Sequence, residues 1–126
     1  MFGLLFRRAG DNRWYSCRLG AVRNMVHLAR LQDGTATKQL VVKDIKDKPL
    51  QDGHWYAATV KVRMEQGECY LDGVKLFDFK VDKHAAGAVG LESTASSYRF
   101  KNIRVTAPDG TILLEGLPDL TPAAAP

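Results

Sequence analysis

Apolar side chains recur at every second residue along this chain, and no useful length of it shows the spacing of a helix. Tyr56, Ala58, Val60, Val62 and Met64 make the longest such run, and Phe2, Leu4 and Phe6, then Tyr15, Cys17 and Leu19, make others. Successive side chains of a strand point to opposite faces, so this period gives each segment one buried and one outer face. The expected fold class is all-β and antiparallel. Turn residues punctuate the runs at Gly10-Asp11-Asn12, Gln32-Asp33-Gly34-Thr35, Gln66-Gly67, Asp72-Gly73 and Pro108-Asp109-Gly110. Asp72-Gly73 is the strongest hairpin signal, because a type I′ turn needs two residues that tolerate positive φ.

Strands are expected over 2–6, closed by Arg7-Arg8, and over 13–19, 25–31, 38–45, 56–64, 68–71, 74–79 and 111–114. The 25–31 pattern also fits one turn of helix; strand is preferred, with Val26 and Leu28 inward, because every neighbour is a strand. Residues 46–53 form a polar loop, and 82–87 another that contains His84. Val89 and Leu91 alternate with Gly90 and Glu92. Tyr98 and Phe100 alternate too, but Ile103 and Val105 fall on the opposite parity, which implies a β-bulge near Lys101-Asn102. These last two strands are expected in the middle of a curved sheet. Residues 1–116 then form one domain, and the Pro/Ala-rich 117–126 a disordered tail or linker.

The run Gly87-Ala88-Val89-Gly90-Leu91, followed by Arg99-Phe100-Lys101-Asn102-Ile103-Arg104-Val105, resembles the closing strands of concanavalin A-like lectin/glucanase jelly rolls. Within that superfamily the nearest group is the bacterial 3-keto-disaccharide hydrolase-type domain. Trp55 through Val62 resembles its W-x4-V-x-V strand, and Tyr70-Leu71-Asp72-Gly73 its hairpin, in the right order. The resemblance runs from about Phe2 to Val105 and implies a β-sandwich of jelly-roll type. Members carry further N-terminal strands before the piece matching Phe2 to Arg7, so the expectation is either an incomplete domain or an edge supplied by a partner or a longer parent chain. The superfamily spans lectins, glucanases and binding modules, so the motif specifies fold better than function.

Composition narrows the function classes. The chain has 126 residues, enough for one domain with a real core. Its 18 Lys+Arg against 14 Asp+Glu give a net charge of +4 spread along the sequence, which is ordinary solubility and not a nucleic-acid footprint. No apolar run approaches the roughly 20 residues of a membrane-spanning helix. The apolar start Met1 to Phe6 is too short for a signal peptide, and Arg7-Arg8 follow it instead of preceding it. No compartment is assigned by the chain itself; an extracytoplasmic parent protein fits the resemblance. Cys17 and Cys69 are the two cysteines, without a C-x-x-C; buried free thiols are the expected state and a bridge the alternative.

Catalytic and metal signals are weak. His27, His54 and His84 show no metal spacing, and there is neither a G-x-S-x-G elbow nor a phosphate loop, so no metal or cofactor is expected. The E-x-D-x-x-E run of the superfamily's glycosidases is absent, and Glu92 and Glu68 come from separate strands. A sugar site would instead need an aromatic platform with donors and acceptors on the outer face of a sheet. Alternation supplies Arg7, Trp14, Ser16, Arg18, His27 and Glu92 opposite the inward residues. The expected ligand-binding set is Arg7, Trp14, Arg18, His27 and Glu92, with no catalytic residue; the alternative is that Trp14 fills a gap and the charges pair in solvent. Trp55 is expected to be packed. The function expected is a non-catalytic carbohydrate-recognition or interaction module, whose partners are a glycan and other domains of a longer parent. The alternative is a 3-keto-glycoside hydrolase-type enzyme using Glu92 or His27.

Overall fold

The fold was analysed in a computed structural model that describes residues 1–10, 13–20, 24–32, 38–81, 86–93 and 98–116. Strands are β1 Phe2–Arg8, β2 Trp14–Gly20, β3 Met25–Leu31, β4 Lys38–Asp44, β5 Ala58–Arg63, β6 Gln66–Leu71, β7 Val74–Lys80, β8 Ala88–Ser93, β9 Arg104–Thr106 and β10 Ile112–Glu115. They form a five-stranded sheet in the order β4-β3-β2-β1-β8, a three-stranded sheet β5-β6-β7 and a two-stranded hairpin β9-β10. All described pairings are antiparallel. The described residues contain no helix, and the class is the expected all-β sandwich.

The period-2 pattern sets which face is buried. Phe6 of β1, Tyr15, Cys17 and Leu19 of β2, and Val26 and Leu28 of β3 form one wall of the core. Cys69 of β6, Phe79 of β7 and Val81 form the other, with Val60, Val62, Leu71 and Phe77 packed around them. Phe6 sits between Tyr15 and Phe79, each with ring centroids 5.6 Å from its own. Phe79 reaches this position because its register partner is Gly67: a Cβ there would lie 2.2 Å from the ring.

Cys17 and Cys69 are joined by a disulfide, correcting the expectation of free thiols. Both are inward residues of facing sheets, so the two thiols meet across the core. Sequence spacing carries no information about that encounter, because it depends on how two separate sheets stack.

Several boundaries also differ from expectation. The 56–64 run is a strand only over Ala58–Arg63. Met64 adopts φ 54° and turns the chain, so the reversal falls at Met64-Glu65, and Gln66-Gly67 begin β6 instead of turning. Asp72 and Gly73 both have positive φ, 50° and 78°, as a type I′ hairpin requires. Tyr98 and Phe100 lie outside any strand and pack on the Phe2 ring instead. The parity change after them occurs at Asn102, with φ 54°, where a left-handed residue replaces the anticipated bulge. β8 lies at the margin of its sheet, not in the middle. The turns expected at 11–12 and 33–35, the His84 loop and the 117–126 tail lie outside the described residues.

In the chain-entropy account a crosslink stabilises by restricting the unfolded chain. With a sequence separation of 52 the Cys17–Cys69 bridge should contribute about 4 kcal/mol. The Cys17→Ala/Cys69→Ala double variant is expected to lose most of this in denaturant unfolding, and reduction of the wild type should lower its midpoint similarly.

Candidate functional site

The strand β2 that lines the core with Tyr15, Cys17 and Leu19 necessarily turns Trp14, Ser16 and Arg18 to the opposite face. Register completes that face. Arg18 is opposite His27 on β3 and Gly3 on β1; Gly3 is opposite Glu92 on β8; His27 is opposite Val42 on β4. One row therefore crosses all five strands: Glu92, Gly3, Arg18, His27, Val42.

Gly3 is what lets the row close. Glu92 and Ser16 belong to strands on either side of β1, and the Glu92 carboxylate reaches across it. A Cβ on Gly3 would lie 2.6 Å from Ser16 Oγ and 2.7 Å from Glu92 Oε1. Over that gap Ser16 Oγ donates to Glu92 Oε1 at 2.5 Å, and Arg18 Nε donates to the same oxygen at 2.7 Å. At a longer 3.4 Å, Arg18 Nη2 donates to Glu92 Oε2. Ser16 is fully buried, and Arg18 and Glu92 side chains are each only 16% exposed. The Arg18 guanidinium carbon also sits 5.2 Å from the Trp14 ring centroid, a cation–π distance.

His27 is half-buried in this row. Burial, and then the adjacent Arg18 guanidinium, push its pKa below the ordinary value of 6.5, against a smaller opposing pull from Glu92. At neutral pH the imidazole is uncharged and offers one donor and one acceptor. Arg18 and Glu92 offset each other, so the face combines an ion pair of zero net charge, a neutral imidazole and an indole. Beside His27, Val42 and Met25 leave apolar surface open.

Of the five residues expected to form a site, Trp14, Arg18, His27 and Glu92 lie together. Arg7 does not. It adopts φ 50° where the β1–β8 register shifts between Leu5 and Arg8, which takes its side chain off the alternation. Its guanidinium donates to the Met64 carbonyl at the turn of the other sheet. Glu68 is also elsewhere. It projects from the outer face of the three-stranded sheet, where it accepts from Tyr70 Oη at 2.6 Å and pairs with Lys75. His54 lies on an exposed loop against Tyr56, with ring centroids 4.6 Å apart. Ser16 and Gly3 are the contributors that residue chemistry alone undervalues. A glycine inside an otherwise apolar strand is itself a mark of close approach, and Gly3 carries it.

Gly3→Ala should separate Glu92 from Ser16 and lower stability by about 1–3 kcal/mol, as overpacking does; denaturant unfolding measures this. His27 gives a pH signature. Its folded pKa is depressed, so its contribution is complete above the ordinary 6.5 and is lost as pH falls through the lower folded value. Wild type should therefore lose stability relative to His27→Gln on acidification below about 6.5, while above that the difference between the two stays constant.

Neither a protein-family model nor a curated protein matches the chain. Among solved structures it is similar to a carbohydrate binding module, CBM66, from Bacillus subtilis, with a TM-score of 0.64 and 20% sequence identity. The likeness covers 71% of this chain and 54% of that one, so the chain spans about half the length of the structure it matches. At this identity the likeness establishes the fold alone, a β-sandwich.

Proposed function

We propose that this chain is a non-catalytic carbohydrate-recognition module of a larger bacterial protein, and that the outer face of the five-stranded sheet is where the sugar binds. The observation that carries the reading is the assembly of Trp14, Arg18, His27 and Glu92 on that face. The open part of the Trp14 ring stacks on the C–H face of a sugar. Neutral His27, the remaining Arg18 N–H groups and Glu92 Oε2, whose one contact among the described residues is the 3.4 Å one to Arg18, hydrogen-bond hydroxyls. The zero net charge of the Arg18–Glu92 pair suits a neutral, hydroxyl-rich ligand better than a phosphate. The carbohydrate binding module with the same fold supports the ligand class.

The hydrolase reading puts Glu92 or His27 in acid/base work, and a paired-carboxylate mechanism would need a second acid beside Glu92. Glu92 is engaged by Ser16 and Arg18, and Glu68 faces outward from the opposite sheet, so recognition is the better supported. A glycan array followed by calorimetry should find a neutral oligosaccharide whose affinity falls about tenfold in Trp14→Ala, the loss of one stacking contact. Affinity unchanged by Trp14→Ala would overturn the assignment, as would turnover of a 3-keto-disaccharide that Glu92→Gln abolishes.

A further inference from the structure

We propose that Trp55 and Lys101 form a second ligand site, separate from the first, that takes an anionic sugar residue: a uronate of an acidic polysaccharide. Trp55 is expected from the sequence to pack inside, yet it is 51% exposed and precedes β5 instead of belonging to it. A tryptophan left half in water forgoes the burial that makes this side chain so favourable in a core.

Its position is nonetheless fixed on both sides. The Tyr56 hydroxyl accepts from the Gln51 amide at 2.7 Å, and the His54 ring packs on Tyr56. Just beyond, the Ala57 amide donates to Asp72 Oδ1 and the Asp72 amide donates to the Ala57 carbonyl, both at 2.7 Å. The β6–β7 hairpin thus clamps the loop that holds the indole outward. A side chain held this way needs little ordering when a ligand arrives.

Lys101 supplies the second element. Its ammonium lies 4.1 Å from the Trp55 ring centroid, delivered by the segment that leads into β9. Several other cations pair with carboxylates, Arg18 with Glu92, Lys46 with Asp44, Lys75 with Glu68 and Asp78, and Arg104 with Glu115, whereas Lys61 lies over the Tyr70 ring much as Lys101 lies over Trp55. Among the described residues Lys101 has no carboxylate partner. An ammonium with no counter-ion among the described residues, held over a half-exposed indole, matches a ligand with a stackable ring and a carboxylate on its edge. A pyranuronate has both. The pyranose ring takes the indole face that the Lys101 ammonium now covers, and the ammonium, on its flexible stem, moves to the ring edge and donates to the carboxylate. Among the described residues the Trp14 face pairs its Arg18 with Glu92, so the two sites differ in the charge they favour.

The choice of a sugar as ligand rests on the recognition reading above; the preference for an anion rests on Lys101 alone. The test is calorimetry on the full chain with a trigalacturonate, with a neutral trigalactoside as control. Trigalacturonate should bind more tightly than the control and weaken with added salt. Trp55→Ala should weaken trigalacturonate binding about tenfold, and Lys101→Gln several-fold. Neither position is in the core, so both variants should still unfold cooperatively, with at most a small drop in melting temperature from the lost Trp55–Lys101 contact. Three results overturn the proposal: no trigalacturonate binding, binding indifferent to both substitutions, or equal affinity for the control. Trp55-dependent binding of single-stranded nucleic acid without uronate binding also overturns it. Neutral-sugar binding lost in Trp14→Ala, with no uronate response, would sink this proposal and leave the first intact; the converse pattern would do the reverse.

Discussion

Everything in this molecule depends on contact between the two sheets, concentrated at the Cys17–Cys69 bridge and the Tyr15–Phe6–Phe79 stack. A three-stranded sheet on its own has little to hold it in place; pinned through Cys69 and Phe79 it covers the inner face of the larger one. Two local permissions make this fit possible. Gly67 lets the Phe79 ring lie flat on β6, and the paired positive-φ residues Asp72 and Gly73 return β7 alongside it. Burial of the aromatic and aliphatic side chains supplies the drive, and the covalent link restricts the alternatives open to the unfolded chain.

The same constraint builds the outer face. Once Tyr15, Cys17 and Leu19 are committed inward, the pleat leaves Trp14, Ser16 and Arg18 no other side to occupy. Ser16 is nonetheless fully buried, because the Glu92 side chain passes over Gly3 and lies on top of it. A hydroxyl removed from water in this way needs a partner, and the carboxylate is that partner. Arg18 is then positioned by Glu92 on one side and the Trp14 ring on the other. His27 remains uncharged because it is partly desolvated beside a guanidinium.

The strands were largely legible because alternation is local: 25–31 matches β3, and the Asp72-Gly73 turn follows from the φ values it demands. Side-chain faces on β2, β3 and β8 could likewise be read, which is why Trp14, Arg18, His27 and Glu92 could be grouped in advance. What escaped the sequence is non-local or breaks the alternation. The disulfide needs the stacking of two sheets. Arg7 leaves the pattern through a single left-handed residue, as does the chain at Met64 and Asn102. Phe100, in a motif that resembles a strand, finds the Phe2 ring instead of a strand partner. The W-x4-V-x-V pattern implies a packed Trp55, but β5 begins at Ala58, and the loop before it, bonded to Asp72 through Ala57, leaves the indole half exposed.

The placement of β8 at the border of its sheet gives the Glu92 carboxylate an unusual dependency. Among the described residues β8 is zipped to β1 alone, and border strands are the first to fray. Were β8 to lift, Arg18 would lose its counter-ion and Ser16 its acceptor, and the face would turn from electrically balanced to cationic. The pairing at one rim thereby sets what the whole surface attracts.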